Sequence, residues 1–334
     1  MIINIDDIIK KISDTVASHR LENEGEYARW IWQNEERNRE LGINEYGCAD
    51  AVNILYTIGE FPNTTKSREA HIRVLQNMQN PQTGLFTETS HHPIHTTAHC
   101  IAALELFDAK PIYPLTDLME YTTCDGIKNM LDSLDWKGDP WDMSHRGAGI
   151  YAAMVLSDSV DSKWEDTYFE WLWENADEKT GFWRKDAVLS GDRPVFHHLA
   201  GTFHYLFNHE YAKRPLRFPE KVIDTCLDLY EKKETVSNFG KQFGFAEVDW
   251  VYCITRASRQ TAYRFEDCRK ALKGFAKEYI DYLNSIDEDT HDGFNDLHML
   301  FGSVCCLAEL QQALPGLIRS KKPLKLVLDR RPFI

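Results

Sequence analysis

The chain has 334 residues, 43% of them apolar and 12% aromatic, which suffices for one large core or two ordinary ones and excludes a disordered or fibrous chain. Thirty-eight basic residues against 52 acidic ones give a formal net charge of −14, unbroken by any run of five or six Lys/Arg, so nucleic acid is disfavoured as a partner. The opening MIINIDDIIKKISD has no positive segment followed by an apolar run, and nowhere are 18 consecutive residues apolar, so neither a signal peptide nor a membrane span is expected. Eight scattered cysteines without a CxxC pair read as reduced, packed thiols in a cytoplasmic protein.

Along the chain one grammar recurs: a helical run, a punctuation that usually joins Gly to an aromatic residue, then a more apolar helix rich in small residues. A divergent unit opens it, EYARWIWQNEERN (26–38) before YGCADAVNILYTIG (46–59). Next come HIRVLQNMQNPQTGLF (71–86) with HTTAHCIAALELF (95–107), and GIKNMLDSLDWKGDPW (126–141) with HRGAGIYAAMVL (145–156). YFEWLWENADEKTGFW (168–183) with HHLAGTFHYLF (197–207) is the clearest, followed by units at 222–258 and 275–310. Asp50, His99, Gly149, His198, Asp249 and His298 mark equivalent places, at intervals of 49, 50, 49, 51 and 49 residues.

The first helix of each unit alternates aromatic and charged residues at helical spacing and reads as outer; the second is apolar on most faces and must be surrounded. Six such hairpins predict an all-α fold, an (α/α)6 toroid over residues 1–320, closed rather than stacked as an open solenoid. Residues 321–334, KKPLKLVLDRRPFI, are basic and apolar and read as an extended surface arm, with docking on the ring or on another subunit as the alternative. Period-2 alternation is confined to Leu324-Lys325-Leu326, so little sheet is expected.

The string FEWLWENADEKTGFW (169–183), and more loosely 73–86 and 279–294, resembles the aromatic-Leu, Gln/Asn, Gly-aromatic repeat of the terpenoid cyclase and protein prenyltransferase superfamily of α-α toroids. The resemblance spans most of the chain and implies the fold, with the repeat tightening the junction between outer and inner helices. It does not extend to activity. The Asp-x-Asp-Asp motif of class II cyclases is absent, the nearest string being Asp287-Glu288-Asp289 in a loop, and no prenyltransferase zinc set is expected.

Of 13 histidines, ten fall just before or within an inner helix. In a ring these positions surround one mouth of a central cavity, together with Asp50, Asp142, Asp249 and Asp296 and the aromatic Tyr46, Trp141, Trp183 and Trp250. The catalytic candidates are therefore Asp50, Asp142, His145, His198, Asp249 and Asp296. Tyr46, His92, His95, Trp141, Arg146, Trp183, His197, Trp250 and His298 are the substrate-binding candidates. Asp142 and Asp296 also suit helix caps. No cofactor is required by the sequence. His95 and His99, four apart on one helical face, would bind zinc only if a second helix supplied a ligand such as His145 or Asp142.

A rim of Asp, His and Trp suits a small-molecule or oligosaccharide substrate. Hydrolysis would use two of the four Asp residues, whereas lyase chemistry would use His145 or His198 as base with Arg146 neutralising a uronate carboxylate; the acidic chain would repel a polyanion, which favours hydrolysis or isomerisation. An isoprenoid enzyme and a non-catalytic binding toroid are the alternatives.

Overall fold

A computed structural model describes residues 2–33 and 38–334. The described residues are mostly helical, as the alternation of outer and inner runs requires. Helices α1 (Asp6–Ser18) and α2 (Glu45–Ile58), α3 (Thr65–Asn77) and α4 (Pro93–Glu105), and α5 (Cys124–Ser133) and α6 (Pro140–Leu156) form the first three pairs. Then follow α7 (Ser162–Asn175) with α8 (Val195–Ala212), α9 (Pro219–Lys232) with α10 (Ala246–Ser258), and α11 (Phe265–Ser285), the short α12 (Asp292–Asn295) and α13 (Leu297–Ala313). A last turn, α14 (Val327–Arg330), lies in the tail. No described helix is long and apolar enough to cross a membrane.

The first member of each pair buries a single stripe. In α1 it is Ile8, Ile12, Thr15 and Val16, and in α9 Val222, Ile223, Cys226, Leu227 and Leu229. The second members bury almost every position, as α2 does from Tyr46 to Ile54 and α10 from Ala246 to Ala257. Each packs on the next: α2 on α4, α4 on α6, α6 on α8, α8 on α10, α10 on α13, and α13 on α2.

The Gly-aromatic punctuation is one recurring turn. Gly84 and Gly181 both have φ +76°, and each donates its N–H over 2.8 Å to the carbonyl four residues earlier, Asn80 or Asp177. The chain closes back when Asn80 and Asp177 donate to the carbonyls of Leu85 and Phe182. A β-carbon at Gly84 would lie 2.0 Å from the Pro114 oxygen and one at Gly181 2.8 Å from that of Phe218, so the positions need glycine for conformation and space alike. The aromatic residues that follow, Phe86 and Phe182, are fully buried between outer and inner helices.

Three expectations are corrected here. The opening run at 26–38 is not a helix where it is described: Arg20 bridges Tyr27 and Ala28 bridges Ile43, and residues 34–37 lie outside the described set. The N–H groups of Ile31 and Trp32 both donate to Asn295 Oδ1 (2.9 and 3.1 Å), which withdraws them from a helical ladder. The outer helix of that unit is α1. Second, the aromatic residues of an outer run do not all face inward, since Trp173 of α7 is 43% exposed. Third, the tail is no surface arm. Arg331, Phe333 and Ile334 are buried, Arg331 Nε donates to Asn53 Oδ1 (2.8 Å), and Asn208 Nδ2 donates to the Pro332 carbonyl (3.0 Å). Arg330 pairs with Glu105 and Asp108, and Asp329 with Arg256 and Arg259, so ion pairs tie the tail to the C-terminal ends of α4 and α10. Leu324-Lys325-Leu326 forms no strand; the only sheet among the described residues pairs Ile3–Asn4 with Ile318–Arg319 in parallel.

Candidate active site

The repeat brings chemistry together by simple arithmetic. Tyr46 and Asp50 stand one helical turn apart on α2, as His95 and His99 do on α4, and each pair meets its counterpart 49 residues on. The Tyr46 hydroxyl hydrogen-bonds His95 Nδ1, and His99 Nε2 meets Asp50 Oδ1 at 2.8 Å. From α13, His298 Nδ1 approaches the other Asp50 oxygen at 3.1 Å. Asp50 is thus held between two imidazoles and is fully buried.

The upper level continues around the inner helices. The ring of His145 on α6 lies edge-on to those of His95 (4.6 Å between centroids) and His204 of α8 (4.7 Å). His204 Nδ1 is anchored by Ser144 Oγ and the Ala200 carbonyl, both at 3.1 Å, and His145 Nδ1 faces Asp142 Oδ1 at 3.6 Å. His91 stacks on Tyr46 at 4.5 Å and pairs with Glu88 at 3.0 Å. Side-chain exposure falls from 20% at His145, through 2% for the whole of His95, to none at His99, so the cluster descends inward from a solvent-touching edge. Among the described residues two groups could hold a metal ion: His95, His145 and His204, and Asp50, His99 and His298.

Burial fixes the charge states. It pushes the imidazoles of His95 and His204 well below their ordinary range, and neighbouring His145 adds to this. Burial also pushes His298 down to about 3 against the pull of Asp50. For Asp50 burial acts upward, but His298 and His99 outweigh it and the carboxyl stays ionised. Above the cluster the buried Arg29 donates to both Asp296 oxygens (2.8 and 3.1 Å) and to Ser90 Oγ (2.6 Å), with its guanidinium 5.2 Å from the Tyr46 ring centre. A surface cleft lined by Arg29, Trp30, Arg39, Ser90 and Asp296 opens beside it.

The expected site residues divide into three sets. Tyr46, Asp50, His95, His145 and His298 come together in the cluster. Asp142, Arg146, His92, His197 and Trp141 stand at its edge: His92 Nδ1 accepts from Ile94 N as the cap of α4, Trp141 meets His197 edge-on at 5.7 Å, and Asp142 caps nothing. Asp296 joins this edge through Arg29 and caps α13 by accepting from His298 N.

Trp183, Trp250, His198 and Asp249 point elsewhere, a correction to their expected place on the rim. Trp183 and Trp250 are buried and donate Nε1–H to the Leu172 and Cys226 carbonyls of outer helices. His198 turns Nδ1 to the Trp183 carbonyl (3.1 Å). Asp249 is buried without a hydrogen-bond partner, and burial and then Glu247 push its carboxyl well above the usual carboxylate range. Arg29 and Glu88 complete the site and were not expected there, whereas His91 and His204 belong to the ten histidines near the inner helices without being named as catalytic or binding candidates. The string Asp224-Thr225-Cys226 does have the Asp-x-Cys form that opens a prenyltransferase zinc set. In α9, however, Asp224 pairs with Arg264 while Cys226 lies in the core, so the two share no ligand site. Comparison with protein-family models, with curated proteins and with solved structures found no match.

Acid destabilisation should follow from the buried imidazoles. Burial pushes His209 down to about 4, outweighing the carbonyl of Arg214 that its Nδ1 meets. Such a group is neutral in both states above pH 6.5. Between pH 6.5 and 4 the unfolded chain takes up a proton that the folded one refuses, so stability falls as pH falls through that window. His209 alone should cost on the order of 2 kcal/mol at pH 5. Urea unfolding at pH 7 and pH 5 reads this; equal stabilities would contradict neutral burial.

Proposed function

We propose that the chain is an (α/α)6 toroid enzyme of the cytoplasm, with its reaction centre in the interior cluster of Tyr46, Asp50, His95, His145, His204 and His298. The closed succession of inner-helix contacts supports the ring, and all eight cysteines being unpaired supports a reducing compartment. The single observation that carries the enzymatic reading is the convergence of these polar side chains from five different inner helices onto one mostly buried place. Fold stability alone does not call for it, since buried polar groups cost free energy unless satisfied.

The substrate class we propose is a carbohydrate or a similar polyol, received at the edge where Trp141, Arg146 and His92 stand. Elimination or isomerisation is the better-supported chemistry. Hydrolysis by paired carboxylates would need two free ones, but Asp296 is committed to Arg29, Asp249 is buried against Glu247, and Asp50 lies between two imidazoles. His145, partly exposed beside Asp142, is the candidate base, and Arg146 the candidate partner of a substrate carboxylate. The resemblance to isoprenoid enzymes then concerns fold alone.

A thermal-shift panel of neutral oligosaccharides, uronates and isoprenyl diphosphates tests this. A uronate or oligosaccharide at about one hundred times its Kd should add roughly 2.7 kcal/mol of stability. Stabilisation by isoprenyl diphosphates alone, or by none of the three, would overturn the carbohydrate reading.

A further inference from the structure

Three imidazoles from three successive inner helices meet at one point, two with the other ring nitrogen hydrogen-bonded and the third with it facing a carboxylate at 3.6 Å. We infer that His95, His145 and His204 form a metal site for one divalent ion of the zinc type; this does not depend on the substrate class, but with the ion bound His145 would be a ligand and no longer the base proposed above.

The ligating nitrogens of this group lie within 4.8 Å of one another. Nδ1 of His95 is held by the Tyr46 hydroxyl, Nδ1 of His204 by Ser144 Oγ and the Ala200 carbonyl, and Nδ1 of His145 faces Asp142. That leaves Nε2 as the free atom on each ring. It is also the arrangement a metal-binding imidazole needs, because an outer partner on the second nitrogen fixes the tautomer and aims the first. Among the described residues no hydrogen bond joins the three rings to each other, so edge-on ring contact is their only mutual attraction.

The donor set narrows the ion. Three neutral nitrogens without thiolate or carboxylate suit zinc, nickel or cobalt and poorly suit calcium or magnesium, which take oxygen. Three protein ligands leave a fourth position for water, as in zinc sites that act on substrates. Tetrahedral zinc at about 2.0–2.1 Å from each nitrogen would place the nitrogens roughly 3.3 Å apart, so from separations of at most 4.8 Å the rings would draw in by no more than about 1.5 Å. His145 is the ring free to move, with its side chain 20% exposed at the edge of the cluster.

The second group, Asp50, His99 and His298, is the weaker candidate. There the carboxylate already bonds one nitrogen of each imidazole, at 2.8 and 3.1 Å, so those nitrogens are taken, while His99 Nδ1 is buried without a partner. Beneath the first group lies Phe333, 5.0 Å from the His95 ring and 6.1 Å from that of His204, so the floor of the site is apolar.

Tag-free protein dialysed against chelator and then titrated calorimetrically with Zn²⁺ tests the assignment, with no substrate present. Wild type should bind close to one equivalent, and Co²⁺ in its place should give the intense visible absorption of a tetrahedral site. His145→Ala, at a position that is not deeply buried, should weaken binding at least about 100-fold while circular dichroism stays unchanged. His197→Ala, a nearby imidazole outside the group, should leave it unaltered. Absence of binding by the wild-type protein would overturn the proposal. So would binding that survives His145→Ala but is abolished by Asp50→Asn, which would place the ion in the second group. A protein that binds zinc yet responds to no sugar would leave this site standing and remove only the carbohydrate reading.

Discussion

Phe333→Ala should lower the unfolding free energy by about 3–5 kcal/mol, the range for removing a buried aromatic ring from a packed interior. The ring is fully buried, it touches those of His95, His204 and Phe207, and a β-carbon on Gly149 would sit 3.3 Å from its edge. Deleting residues 327–334 should cost still more. It would expose the groups under Val327, Leu328 and Ile334, remove the Asp329 partner of Arg256, and leave Asn208 without the Pro332 carbonyl. Urea denaturation of the point variant checks the first figure. A loss below about 1 kcal/mol would mean that the tail only lies against the helices instead of filling the space among them.

Arg256→Leu should cost about 3–5 kcal/mol, since it strands a buried carboxylate. Arg256 is 1% exposed and donates from both terminal nitrogens to Glu309, itself 2% exposed, and to Asp329. Glu309 is left without a counter-charge in the single variant, whereas Asp329 keeps Arg259 at 3.1 Å. Adding Glu309→Leu should therefore restore most of the loss, because two apolar side chains of similar volume need no pairing. A double variant no more stable than the single one would show that the cost lies in packing around the guanidinium, which lies 3.9 Å from the Tyr252 ring centre.

The repeat was legible because each unit repeats the same physical solution. The turns at Gly84 and Gly181 make the same hydrogen bonds, and the equal spacing of Tyr46 and His95, and of Asp50 and His99, is what lets each pair meet across adjacent helices. Shared register did not guarantee shared direction. Asp249 and His198 occupy the places of Asp50 and His99 in the count, yet His198 turns to a local carbonyl and Asp249 stays buried without a partner. Intervals of 49 to 51 residues displace a side chain by up to two positions, and each position is about 100° around a helix of 3.6 residues per turn.

Residues from outside the repeat were the least legible. Arg29 comes from an irregular segment whose Trp and Arg spacing imitates a helix, and its partner Asp296 is 267 residues away. Phe333 and Arg331 come from a tail whose charge suggested exposure. The charge is used instead in ion pairs with Glu105, Asp108 and other residues at the helix ends, while the apolar residues turn inward. His204 stands deep within a helix, where a histidine is easily taken for core. Only its meeting with His145 and His95 marks it as part of a site.

The central claim is that the imidazole cluster exists for chemistry and not for holding the fold. The most direct test is the unfolding free energy of His145→Leu against wild type, both freed of metal by chelator and without ligand, at pH 7. A side chain kept for function leaves the fold as stable without it, so the variant should fall within about 1 kcal/mol of wild type or above it. A loss of about 2 kcal/mol or more would mark His145 as a structural member of the core and contradict the account.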